Sequence, residues 1–219
     1  MLVGIHVEGN DWLIVRTLLA RLLDRDEATI EVDRIDHPGM GWQAVIEQAP
    51  KTLKRFYAKF CALAVLGVDN DGNLDALAEG AAEDPRHPRH WRHEDRVDAC
   101  RYCALYEVAE FTRRALTWIP TQPGATWPVC ICVPVEIIES WLLAALAIAS
   151  PGHGSLHAEN EWRSGQKQAF YGRPEATRED VEVIALPLLR RLSAEQLQQL
   201  RGHSRSFDLF AEQALASQS

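Results

Sequence analysis

Hydrophobic positions along the chain fall into two kinds of pattern. Three short runs are apolar at nearly every position: LVGIHV at 2–7, ALAVLGV at 62–68 and VCICV at 129–133. Runs of this length, bounded by polar residues, predict strands covered on both faces, as in a parallel sheet. A fourth stretch, ATIEVDRI at 28–35, alternates and predicts a strand nearer an edge. Between these runs the spacing is helical. Residues 11–24 predict a helix capped by Asn10 or Asp11, and 41–59 a helix broken at Pro50. Residues 94–118 predict a long amphipathic helix, and 135–149 a very apolar one. After Pro151 the texture becomes polar and rich in Gly, His and Arg, and two helices follow near 179–201 and 206–216. The expected fold is therefore α/β, with a mainly parallel central sheet and helices on both faces. Residues 1–150 would form the α/β core, and 151–219 a loop-rich and helical C-terminal extension packed on it.

The strand ends carry the chemistry. The first run closes in HVEGND, which places Glu8 just beyond the strand. The run at 62–68 closes in GVDNDG, which places Asp69 and Asp71 there. The run at 129–133 leads into VPVEIIES, which puts Glu136 and Glu139 in the first turns of a helix, three apart and on one face. In an open parallel sheet this edge is where ligands bind. Carboxylates gathered there repel one another unless they take up protons or a cation sits among them. Mg²⁺ or Mn²⁺ suits such a set, being a hard ion bound by carboxylate oxygens and water. Each acid also has a simpler role open to it. Asp-Asn-Asp-Gly is good turn chemistry, and an acid in a first helical turn complements the macrodipole.

Composition narrows the picture. With 47% hydrophobic residues a full core is available, and no apolar stretch approaches the roughly 18 residues of a membrane span. The opening MLVGIHVEGND lacks the basic and small-residue features of a signal peptide. Five cysteines, an odd number, are then expected as reduced thiols in a cytoplasmic protein. A net charge of −8 argues against a broad basic surface gripping nucleic acid by counterion release, but not against a metal-dependent enzyme acting on it. The pattern leaves room for a homo-oligomer. The segment HPRHWRHEDRVDACRYC brings His87, His90 and His93 near Cys100 and Cys103. A zinc knuckle would need its Cys pair in a turn and a second pair elsewhere, so a solvated His/Arg loop with two core cysteines is the more economical account. Trp12, Trp118 and Trp141 are expected in the core, Arg113 and Arg114 at the surface.

VEG after the first strand and D-x-D after a later one resemble the two signatures of TOPRIM domains, found in topoisomerases, primases and OLD-type nucleases. The stretches PVEIIESWLLA and SRSFDLFAEQAL look like a family of small TOPRIM-like proteins related to RloB, often encoded beside ATPases in bacterial defence loci. GQKQAFYG at 165–172 resembles a lysine-bearing segment of that family. The resemblance runs from Met1 to about Ala214 and implies a TOPRIM-like Rossmannoid core. It implies Glu8 in acid/base chemistry or metal binding, Asp69 and Asp71 holding Mg²⁺ or Mn²⁺, and Lys167 as a catalytic cation. Read from the residues themselves, the polar loop with Arg163, Lys167 and Arg173 is either a solvated charged surface or a phosphate-binding one, with Arg163 and Arg173 contacting substrate, and Glu136 and Glu139, sharing a helix face, would hold a second ion or orient ligands. The implied function is Mg²⁺-dependent phosphodiester cleavage of nucleic acid as the nuclease subunit of an ATPase-associated anti-phage system. Where the family usually continues VEG with Thr-Glu, this chain has Asn10 and Asp11.

Two other readings compete. LAVLGVDNDGNL also looks like the first motif of haloacid-dehalogenase-type phosphatases, with Asp69 as nucleophile and Asp71 as general acid. That motif normally lies on the first strand, and no later G-D-x-x-x-D stretch follows here. Alternatively, the acidic cleft belongs to a catalytically inactive metal-binding regulatory subunit.

Overall fold

The computed structural model describes residues 1–34, 41–69, 101–115, 128–134, 137–152 and 165–217. Within them, β1 (Leu2–His6), β2 (Glu31–Arg34), β3 (Leu63–Gly67) and β4 (Val129–Cys132) form one sheet in the order β2-β1-β3-β4. Every pairing is parallel. Val3 lies opposite Val32 on one side and Leu63 on the other, and Gly67 lies opposite Cys132. The fold is the expected α/β class, and the alternating stretch at 28–35 is indeed an edge strand.

Alternation along the strands sorts their side chains onto two faces. Val3, Ile5, Leu63, Val65, Cys130 and Cys132 point into one cluster. That cluster is filled by α1 (Asp11–Leu22), α4 (Glu139–Ala149) and the C-terminal helices. Ala64, Leu66, Val68 and Ile131 point into the other, with α2 (Trp42–Ala58) and α3 (Arg101–Ala115). The two β2-to-β3-to-β4 connections run the same way across the sheet and place their helices on one face. The β1-to-β2 connection runs the opposite way and places α1 on the other, as right-handed crossovers demand.

The C-terminal helices are α5 (Gln166–Tyr171), α6 (Arg178–Asp180), α7 (Leu186–Arg191), α8 (Ala194–His203) and α9 (Arg205–Ala216). Phe170, Leu186, Leu200, Phe207 and Phe210 join the same cluster as β1 and α1. Trp141 anchors this layer: its indole Nε1–H donates to Ser206 Oγ at 2.7 Å, and its ring meets Phe207 edge-on with centroids 5.3 Å apart. The edge of β4 is covered by α9, where Gln213 Oε1 accepts from the Ile131 amide at 3.0 Å. At the opposite edge Asp33 is held by Lys59 Nζ at 3.0 Å and Arg55 Nε at 3.1 Å.

Three elements differ from their predicted bounds. The helix α2 runs through Pro50 instead of breaking there. Pro50 denies one N–H to the turn before it, but buried Val45, Ala49, Leu53 and Phe56 hold the helix to the sheet on both sides of that gap. The helix predicted at 179–201 is interrupted. From α6 it passes through a π-helical turn, Val181–Ala185, into α7, and stops at Leu192. Ser193 and Gln196 then cap α8 reciprocally, at 3.1 and 2.9 Å. Finally, α4 begins at Glu139, later than predicted, after a turn at Ile137–Ile138. Of the helix predicted at 94–118, only α3 lies in the described residues.

A methyl group at Gly4 would overlap the ring of buried Phe56, so β1 admits α2 only because position 4 has no Cβ. Gly4→Ala should therefore cost about 1–3 kcal/mol through overpacking. Urea denaturation should show this loss, and the loss should shrink when Gly4→Ala is introduced beside Phe56→Ala.

Candidate functional site

The order of the strands sets the position of the site. From β1 the chain leaves to one face of the sheet, and after β3 it next returns on the other, in α3. A crevice opens between the carboxyl ends of β1 and β3, the switch point at which such sheets bind ligands. Glu8 and Asp69 each lie two residues past the end of their strand, at this point. They meet there: the Asp69 amide donates to Glu8 Oε1 at 3.0 Å.

Asp69 is fixed on two further sides. Its Oδ1 accepts from the Ile138 amide at 3.2 Å, at the entry to α4. Its carbonyl accepts from Nη1 of Arg101, a buried guanidinium whose carbon lies 4.4 Å from the centroid of the Trp42 ring. On the β1 side, Gly9 takes a left-handed φ of +49°, which turns the chain so that α1 starts at once. The Asp11 amide donates to the Glu8 carbonyl at 3.2 Å. The cap expected of Asn10 or Asp11 is not made; Asn10 holds the capping position without a side-chain bond. Asp11 instead takes part in lining the crevice.

Glu139 is the first residue of α4 and is only 3% exposed. A carboxylate is favoured there by the helix dipole. Lys167 comes from the short helix α5. Glu8, Asp11, Asp69, Glu139 and Lys167 all line one cavity of about 320 Å³.

The charges in this cavity act on one another. Asp11 keeps part of its surface on the cavity, but its carboxyl group is packed round by protein. Burial, then the charges of Glu139 and Glu8, push its pKa up to about 8, against the lowering pull of Lys167. Tyr171 stands one helical turn beyond Lys167 on α5 and is buried. Its phenol is raised, by burial first and then by Glu139, Asp11 and Asp180.

Of the residues singled out in the sequence, the structure brings Glu8, Asp69, Glu139 and Lys167 together. Arg173 is not in that lining: its Nη2 lies 3.3 Å from Asp180 Oδ1. Asp71, Glu136 and Arg163 lie outside the described residues, as do His87, His90, His93 and Cys100. Cys61, Cys130 and Cys132 are free buried thiols. Asp11, Arg101 and Tyr171 were not picked out as site residues. The spacing E-G-N-D was a usable signal for Asp11, since one turn of chain separates it from Glu8. Tyr171 falls four residues after Lys167, on the same side of the helix. Nothing in the local sequence marks Arg101, whose partners Asp69 and Trp42 are distant in the chain.

The donor set is oxygen-only and anionic, which fits a hard divalent cation. Among the described residues, no three acidic, histidine or cysteine side chains stand close enough to enclose an ion by themselves. Mg²⁺ does not need such an enclosure, since it is commonly held by one or two carboxylates, water and substrate phosphate. No protein-family model matches the chain, and searches of curated proteins and of solved structures also find no match.

The raised pKa of Asp11 has a definite sign in stability. Between about pH 4 and 8 the folded chain keeps a proton on Asp11 that the unfolded chain has lost, so stability falls as pH rises through this window. In chelator-treated protein the melting temperature should drop between pH 5 and 8, and Asp11→Asn should flatten the drop.

Proposed function

We propose that this protein is a divalent-cation-dependent phosphodiesterase of the TOPRIM type, cleaving nucleic acid as a nuclease. The observation that carries this reading is the convergence of Glu8, Asp11, Asp69 and Glu139 with Lys167 on one cavity at the switch point of a parallel sheet. Four acids around a single cavity suit an ion holder better than a lone nucleophile such as the phosphatase motif requires. The resemblance of VEG, of D-x-D and of ESWLLA to TOPRIM-like proteins supports the same choice.

Glu8 and Asp69 would hold the cation, with Glu139 and Asp11 beside them and Asp71 a further ligand. The ion would supply Lewis acidity and lower the pKa of a bound water. The protein's own groups do the rest. Glu8, already hydrogen-bonded to the Asp69 amide, accepts the proton of the attacking water. Lys167 offsets charge on a phosphate oxygen as it builds in the transition state. Arg101 and the Ile138 amide keep Asp69 from turning away.

The substrate reading carries partners with it. At a net charge of −8 the protein has little long-range pull on nucleic acid, so a partner ATPase that grips and delivers the substrate suits it, as in the defence loci of its look-alikes. No helix among the described residues is long and apolar enough to cross a membrane.

Asp69→Asn keeps the oxygen that receives the Ile138 amide but removes the charge. It should abolish Mg²⁺-dependent cleavage of DNA and RNA test strands while leaving the circular dichroism spectrum intact. Undiminished cleavage would overturn the assignment.

A further inference from the structure

A buried hydroxyl on α5, one turn beyond Lys167, has no role in the reaction above. Tyr171 is 6% exposed, and its Oη has no hydrogen-bond partner among the described residues. Such a group costs roughly 1–3 kcal/mol to bury unpaired, so its retention calls for a reason. Its ring is fixed. It meets Phe170 edge-on with centroids 4.8 Å apart, and both residues sit in the core beside α4 and α1. These two helices carry Glu139 and Asp11. One turn earlier on α5, Lys167 lines the cavity those acids share.

We propose that Tyr171 is a positioning residue of the carboxylate cluster, its buried O–H serving as the donor that orients the Glu139 carboxylate when a divalent cation binds. The proposal rests on the metal reading of the site. A carboxylate that turns one oxygen to a cation leaves the other to be held by a neighbouring donor, and such donors govern both affinity and geometry. Tyr171 is placed for this by rigid surroundings, since the aromatic pair and the core allow the ring little freedom. The phenol spends no hydrogen bond on the described residues, so none of these need be broken for it to serve the acids. Asp180, the third acid near the phenol, is already engaged by Thr177 and Arg173 and does not compete.

The test is Mn²⁺ titration of the full chain by calorimetry, with wild type, Tyr171→Phe and Asp69→Asn side by side. Tyr171→Phe deletes one oxygen. It should weaken Mn²⁺ binding about 10- to 100-fold while the metal-free melting temperature stays level or rises, because an unpaired buried hydroxyl is removed. Mn²⁺ affinity equal to wild type would overturn the proposal. So would a lower metal-free melting temperature with unchanged affinity, which is the signature of a purely structural tyrosine. The two readings fail separately. Wild-type protein that binds no Mn²⁺ overturns the metal site and this role together. Loss of binding in Asp69→Asn with full binding in Tyr171→Phe overturns only the role of Tyr171.

Discussion

Everything at the carboxyl edge of the sheet depends on one electrostatic constraint: Glu8, Asp11, Asp69 and Glu139 are forced onto one cavity with Lys167 facing them. Their proximity follows from strand order. Because β1 and β3 are adjacent and parallel, Glu8 and Asp69 must emerge side by side. Because α1 starts immediately after Gly9, Asp11 cannot leave the crevice. Because α4 opens beside β4, Glu139 closes the group from the third side. The fold thus stores repulsion at one point, which a proton on Asp11 relieves.

The rest of the molecule is built to keep that point in register. Asp69 is held at its amide, its carbonyl and its carboxylate by three different elements. Burying the Arg101 guanidinium is expensive, and its place over the Trp42 ring offsets part of that cost. On the far side of the sheet α2 presses Phe56 into the gap left by Gly4, which fixes the height of β1 and so of Glu8. The C-terminal helices contribute twice: they complete the core under β1 and α1, and they bring Lys167 and Tyr171 to the acids.

Much of this was legible in the sequence, for identifiable reasons. The continuous apolar runs announced buried parallel strands, and the acids after them announced the edge. Glu8, Asp69 and Glu139 could be named because their signals are local, and Lys167 because its segment resembles a lysine-bearing one. Asp11 was misjudged because Asp before an apolar run is ordinary capping chemistry, and only the fold shows that no cap is made. Arg101 could not be found, since its meaning lies in Asp69 and Trp42 from other elements. The break at Ser193 was legible in principle: Ser-Ala-Glu-Gln is a capping box, but an unbroken helical period masked it. Pro50 erred the other way, where tertiary packing overrode a local breaker.

The hydrogen bond between Gln213 and the edge of β4 has a consequence in time. The Ile131 amide waits for a partner 82 positions further along, and the Trp141 indole for one 65 positions on. Contacts this distant in the chain close late and slowly. On the ribosome, the four strands can be synthesised well before the helix that seals their open side exists. Until α9 arrives, the Ile131 amide at the edge of β4 lacks the partner that Gln213 supplies. The nascent chain therefore passes through a stage in which the acids are assembled but the sheet is still open to wrong partners.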